Sequence, residues 1–415
     1  MNQQKNNRGS IRENTTYLAF SDVYQKLILF ASVAIIARFS GPAVLGELLF
    51  SLSYVGLMLT LSDWGISHLL IRQAGKEKKQ QQRITFHAIA LRMVLAFVAV
   101  AFTYLGALGF GFYFKLEKTL FLLSIWLVFS AAIQIFCAVF RLYESMRWEA
   151  YVRATEKTSL VLLIIGGAYF SASTEIFSLA FATSAFIAAT IAAVIVVPNL
   201  SPLEKNIRIS ELKGLFWIAT PFGFAVFFSE LYLRADTLIL YLLKDPELVG
   251  FYNSAYYIVL AATFIPIAIT QAMYPNLSRR FKSESRKVLS AMIRRLLSLL
   301  FISGIIGGLA IYVFSAPLIY LAFGKGFVAS VAPLRILSTL LPAIFLTIPL
   351  GFTLYSIGRE RFVAVSTGVC AILNISLNVA LIPIYGMMGA ALTTVITEYL
   401  LLASYLFVIK GEVDG

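Results

Sequence analysis

Long apolar runs alternate with short polar stretches along the whole chain, and their lengths decide its class. A helix needs about 20 apolar residues to cross a hydrocarbon core about 30 Å thick while satisfying its own backbone amides. Such runs fall at residues 17–39, 44–70, 86–110, 119–140, 158–173, 176–197, 215–243, 248–275, 296–323, 330–357, 362–384 and 387–409. They predict an all-α, polytopic membrane protein with about 12 transmembrane helices. The polar opening, residues 1–16, carries Lys5, Arg8 and Arg12 and no cleavage-like site, so it reads as a cytoplasmic tail and not a signal peptide.

Composition supports this class. Of the 415 residues 59% are hydrophobic and only 13% charged, and the mean hydropathy is +0.83. Soluble domains carry roughly 25% charge. The net charge is +13, but with so few charges it is no nucleic-acid signature. Cys137 and Cys370 both lie in apolar runs and imply neither a disulfide framework nor a zinc site. His68 and His87 lack second ligands for a metal. The chain has no GxxxxGK[ST], GxSxG or HExxH motif, so we expect no ATP hydrolysis by that loop, no cofactor, no metal and no enzymatic activity.

The cations give an orientation. Twenty-five of the 34 Lys and Arg residues fall in alternate loops and termini: 1–16, 71–85, 141–157, 198–214, 276–295, 358–361 and the C-terminus. Five lie on the opposite side: Arg38, Lys115, Lys118, Lys244 and Lys325. Lys/Arg excess marks the cytoplasm, which places both termini inside. The basic clusters Lys76-Glu-Lys78-Lys79 and Arg279-Arg280-Phe-Lys282 read first as topology signals and second as sites for phosphorylated lipid. The outward links are short, the longest at 111–118, and leave no room for an external active site.

Residues 198–214 separate a six-helix N-terminal lobe (17–197) from a six-helix C-terminal lobe (215–415), and the lobes echo each other. Gly41-Pro42-Ala-Val-Leu-Gly46 follows the first run, and Asp245-Pro246-Glu-Leu-Val-Gly250 follows the seventh. A basic cluster comes about 30 residues after each second glycine. Asp22 and Lys26 in the first run match Glu230 and Arg234 in the seventh, each pair on one helical face. An even number of spans per half makes this a parallel pseudo-repeat, which places binding sites between lobes.

Ionisable groups at bilayer depth are costly and normally face a partner or a cavity. Asp22/Lys26 and Glu230/Arg234 admit two readings: ion pairs that neutralise each other, or cavity-lining groups. Under the second, Lys26 and Arg234 hold an anionic head group, joined by Arg92 and Arg335. Asp22, Glu230, Asp236 and Glu398 then serve ion coupling or charge balance. Asn374 and Asn378, one turn apart, read as glue between helices.

These residues resemble the polysaccharide-transporter branch of the multidrug/oligosaccharidyl-lipid/polysaccharide exporter superfamily, the Wzx-type O-antigen flippases. The resemblance rests on the paired six-helix halves, Gly-Pro-x-x-x-Gly46, Arg234-Ala-Asp236 and Gly250-Phe-Tyr-Asn-Ser-Ala-Tyr-Tyr257. It extends to Gln271-Ala-Met-Tyr-Pro275, Phe323-Gly-Lys-Gly-Phe327 and Pro383-Ile-Tyr-Gly-Met-Met-Gly-Ala390. It implies a multi-pass protein of the bacterial inner membrane that moves undecaprenyl-pyrophosphate-linked oligosaccharide units to the periplasmic leaflet by ion-driven alternating access. The implied partners are that lipid-linked oligosaccharide, the lipid bilayer, and a polysaccharide polymerase and chain-length regulator; no nucleic acid is expected. The competing readings are a multidrug or small-molecule antiporter of the same fold, which would favour an acidic cavity, and a membrane-embedded glycan polymerase, which would need a large external loop. A lipid II exporter would bring two further C-terminal spans, and none is expected after Ile409.

Overall fold

The computed structural model describes residues 11–72, 77–200, 208–270 and 286–414. Several features of the sequence lie outside them: Lys5 and Arg8 of the tail, Lys76, residues 201–207 of the linker, the Gln271–Pro275 motif and the Arg279–Lys282 cluster. The described residues are almost entirely helical, with no strand among them. In chain order the helices are α1 (Ile11–Asp63), α2 (Ile66–Ile71), α3 (Lys78–Gly109), α4 (Tyr113–Leu142), α5 (Met146–Phe170), α6 (Thr174–Val196) and α7 (Ile209–Leu243). There follow α8 (Pro246–Ala262), α9 (Arg286–Val313), α10 (Ser315–Phe323), α11 (Val331–Ser338), α12 (Leu341–Ser356), α13 (Glu360–Tyr385) and α14 (Met387–Asp414).

Among the described residues nine helices are long and apolar enough to cross a membrane, or ten with the bent pair Lys325–Ser338 and Leu341–Ser356. One of the nine, Phe20–Asp63, has 44 residues, about twice the span of a bilayer core, and breaks at Gly41, whose φ of 78° suits glycine alone. Counting it twice, and adding the more polar α5, gives each of the twelve predicted runs a helix. The protein is a multi-pass membrane protein.

Three boundaries differ from the hydropathy reading, each for a local reason. The predicted fifth run, 158–173, is a 25-residue helix from Met146, because Glu149 is buried inside the fold despite its charge and pairs with two partly exposed arginines. The predicted link at 111–118 is mostly the start of α4: Gly111, at φ 77°, turns the chain within three residues. The predicted tenth run is bent by 52° between α11 and α12, where Pro342 opens the second helix.

The helices pack into two compact units. The first comprises residues 1–32 and 51–230, the second 33–50 and 231–415. The division therefore cuts α1 and α7 and does not coincide with the 198–214 linker. Two glycine contacts explain why. Within the second unit, Gly46 and Gly250 each press against the other's helix start, at Pro246 and Pro42. Within the first, Gly65 (φ 80°) admits α7 so closely that a Cβ would lie 2.8 Å from the nitrogen of Gly223. Trp64 reinforces that seam, donating from Nε1 to Thr220 Oγ1 at 3.1 Å and stacking on Phe216.

Small side chains bring the helices together inside each unit, as membrane packing favours. In the first, Ala185, Ala188, Ala189 and Ala192 of α6 form a core with Ile135, Ala138, Val139 and Leu142 of α4. In the second, Leu346, Leu350 and Leu354 of α12 meet Leu401, Leu402 and Tyr405 of α14. Gly304 and Gly308 of α9 fit against Pro342 and the Ser338 carbonyl.

Candidate functional site

The first unit contains two polar networks with different surroundings. Arg92 of α3 is fully buried. Its Nη1 donates to Asp63 and, at 2.8 Å, to Ser67 Oγ, and its Nη2 donates to Gln134 of α4. Asp63 also accepts from the Ser67 backbone N–H at 3.2 Å. Arg92 is thus a buried clamp joining the end of α1, α2, α3 and α4. Its guanidinium is engaged by Asp63, Ser67 and Gln134 inside the fold, where the sequence suggested a cavity-lining cation.

The second network lies between α4, α5 and α1. Glu149, with a fully buried side chain, accepts from Arg141 at 2.6 and 2.7 Å and from Arg153 Nε at 2.9 Å. Arg153 also donates to Gln25 Oε1 at 3.2 Å, beside Lys26, and Tyr24 bonds Thr158 at 2.7 Å. Lys26 is partly buried within electrostatic range of Asp22. Arg153 and Glu149 thus stand next to Lys26, with Glu156 also in electrostatic range of Arg153. Sequence reading missed Arg153 because it lay in what looked like a basic loop.

Further along, Arg83 pairs with Glu211 of α7, and His87 Nε2 accepts from the Arg208 backbone N–H at 3.3 Å. With its Nδ1 2.8 Å from the Arg83 carbonyl, His87 has the geometry of a packed, hydrogen-bonded imidazole. No group of three or more His, Cys, Asp and Glu side chains able to hold a metal occurs among the described residues.

The second unit carries a buried acidic pocket. Asp236 of α7 is 5% exposed and accepts from three neutral donors: Tyr252 of α8 at 2.8 Å, Thr394 of α14 at 2.6 Å, and Asn378 of α13. No Lys or Arg pairs with it among the described residues. Asn378 also donates to Asn374 Oδ1 at 2.9 Å, while its own Oδ1, fully buried, has no hydrogen-bond partner among the described residues. Asn374 and Asn378 do tie helices together, as expected, but they do so around a carboxylate. Neither Tyr252 nor Thr394 was placed beside Asp236 from sequence, although Tyr252 sits inside the Gly250–Tyr257 motif and Thr394 stands one turn before Glu398.

One turn from this pocket Glu398 accepts from Thr347 Oγ1 of α12 at 2.5 Å and from Tyr232 of α7 at 3.2 Å. Arg234 is partly buried on α7, in electrostatic range of Tyr256 and Tyr257. Glu230 is partly buried one turn before it. Arg335 is exposed, donates to Ser315 at 3.0 Å and lies 5.7 Å over the Tyr312 ring, so its contacts tie α11 to α9 and α10. The structure therefore gathers Asp236 and Glu398 in one unit and leaves Arg335 among other partners.

Both buried carboxylates thus lie among neutral donors within a bundle of membrane helices, and comparison with known proteins bears on the fold and the family. The fold resembles the lipid II flippase MurJ in an inward closed conformation, with a TM-score of 0.78 at 14% identity over 94% of this chain and 87% of that one. It resembles an inward-facing multidrug resistance MATE transporter of the MOP superfamily at a TM-score of 0.76, with 13% identity and 94% of each chain covered. Residues 11–281 match the polysaccharide biosynthesis protein family, and the chain belongs to that family. Residues 221–380 also match the MatE family. A curated relative, the capsular polysaccharide biosynthesis protein CapF of Staphylococcus aureus, is 24% identical over 208 residues. The match spans 50% of this chain and about half of CapF's length (52%).

Proposed function

We propose that this protein is a flippase for undecaprenyl-pyrophosphate-linked oligosaccharide units of a surface polysaccharide, capsule or O-antigen. It works in the bacterial inner membrane with both termini in the cytoplasm, carrying its cargo to the outer leaflet. The observation that carries the reading is the polysaccharide biosynthesis match over residues 11–281, on a fold like that of a lipid-linked-precursor flippase. The cargo has a lipid tail that stays in the bilayer, a pyrophosphate that needs cations, and a glycan that cannot enter hydrocarbon. Lys26 and Arg234 supply point and forked charge for the pyrophosphate, and Arg153 adds to the first of these. Asp236 binds the coupling ion: it is buried, ionisable and surrounded by oxygen-bearing neutral groups. Asp22 and Glu230 balance the cavity charge. The glycan polymerase and chain-length regulator of the same pathway act next on the flipped unit.

Deletion of the gene tests this directly. Surface polysaccharide is lost and complete lipid-linked units accumulate facing the cytoplasm. The MatE match favours one alternative, a multidrug antiporter. That reading gains if glycan is unchanged and sensitivity to cationic drugs rises.

A further inference from the structure

The two carboxylates of the second unit are joined by an unbroken line of hydrogen-bonding side chains. Tyr232 Oη lies 3.2 Å from Glu398 Oε2 and 3.3 Å from Thr397 Oγ1, and its single proton serves one of them at a time. Thr397 Oγ1 accepts from Asn374 Nδ2 at 3.3 Å. Asn374 Oδ1 accepts from Asn378, and Asn378 donates its other amide hydrogen to Asp236. Thr394, which donates to Asp236, stands one turn before Glu398 on α14. Among the described residues Asn378 Oδ1 on this line and the buried Thr393 Oγ1, one turn before Thr397, have no hydrogen-bond partner.

We propose that Glu398 is a proton-binding site wired to Asp236, so that a proton on Glu398 and a monovalent cation at Asp236 oppose each other. The inference rests on reading Asp236 as the coupling-ion site. With Glu398 ionised, Tyr232 donates to it. A proton from a hydronium ion, which leaves as water, forms an O–H bond at Oε2, and that group donates to Tyr232 Oη. The Tyr232 hydrogen then turns to Thr397 Oγ1, which accepts from Asn374 as well. The Asn374 bond weakens as its acceptor is shared, and one negative charge beside the Asp236 pocket disappears. Both changes lower the pocket's hold on a cation.

Among the described residues the other ionisable groups in electrostatic range of Glu398 are few. They are Tyr232 from α7, Tyr256 from α8, which also lies in range of Asp236 and Arg234, Cys370 from α13, and Tyr405 on α14 itself. On α12, Thr347 touches Glu398, while Tyr355 stands near Glu360. On α11, Arg335 is held by Ser315. Glu398 is thus the carboxylate placed to report pH to the pocket.

The test is Na+ binding to the full-length protein in nanodiscs, followed by its effect on thermal unfolding, between about pH 5.5 and pH 8.5. For wild type we expect Na+ affinity about tenfold weaker at the acid end, the size of one charge removed at roughly 10 Å in a medium of effective dielectric about 20. Glu398→Gln should bind weakly throughout and lose most of that slope. Tyr232→Phe, which removes one hydroxyl, should keep wild-type affinity at high pH with a shallower slope. Glu398→Gln with the full wild-type slope overturns the relay while leaving Asp236 as an ion site. Wild type without any Na+ effect overturns both, and Asp236→Asn with undiminished binding overturns the placement of the ion. None of these outcomes bears on the cargo, which the lipid-linked saccharide assay scores separately.

Discussion

Gly46 and Gly250, equivalent residues of the two sequence repeats, make reciprocal contacts: a Cβ on Gly46 would lie 2.8 Å from the carbonyl carbon of Pro246, and one on Gly250 2.8 Å from that of Pro42. Each also overlaps the carbonyl oxygen concerned. The PxxxG spacing is therefore a packing device in which each proline starts a helix and each glycine leaves space for the other repeat's proline.

This contact predicts that Gly46→Ala and Gly250→Ala behave alike. Overpacking of this kind costs about 1–3 kcal/mol. We expect each to reach the membrane yet lose most surface polysaccharide, with the double variant little worse than either single one because one contact is involved. Complementation of the deletion with immunoblotting checks this. Full activity for either variant would show that the contact need not form.

Arg92 and Lys26 should part company. Removing Arg92 leaves Asp63 buried without its cation, a loss of about 3–5 kcal/mol. Arg92→Leu should deplete the protein, and Arg92→Leu combined with Asp63→Leu should restore much of its amount. Fluorescence-detected size-exclusion chromatography reads both. Normal yield of Arg92→Leu would return Arg92 to the candidates for cargo binding.

Lys26→Ala and Arg234→Ala should impair export at normal protein level, since both groups are partly exposed on their helices. Exchanging Asp22 and Lys26 separates the two readings of that pair. Preserved export in the exchange would favour simple neutralisation within the helix; lost export would favour a positioned cation.

Glu149→Gln should leave Arg141 and Arg153 sharing one neutral acceptor. We expect lower thermal stability by about 1–3 kcal/mol, relieved in part by Arg141→Gln. A variant as stable as wild type would mean that the buried carboxylate does not hold α4 and α5 together.

Much of this architecture was legible in the sequence because membrane helices must satisfy their backbones internally and therefore leave runs of known length. The long apolar helices and the all-α membrane class were readable in that way. What escaped depended on partners distant in sequence. Arg92 looked like a cavity cation because nothing near it reveals Asp63, 29 residues away. The charged first half of α5 looked like a loop because burial of Glu149 depends on Arg141 in another helix. Tyr252, Asn378 and Thr394 are ordinary polar residues until three helices bring them to one carboxylate. The division of α1 and α7 between units was equally hidden, since no pattern along a single helix shows which neighbour it joins at each end.

The central claim is movement of a lipid-linked oligosaccharide. The most direct test is purified protein reconstituted into liposomes with a fluorescent undecaprenyl-pyrophosphate oligosaccharide, scored by how fast the labelled head group crosses the bilayer. We predict crossing that is accelerated by an imposed ion gradient and falls to the protein-free rate in Lys26→Ala with Arg234→Ala. Crossing no faster than in protein-free liposomes, with or without a gradient and with folded protein present, would contradict the account.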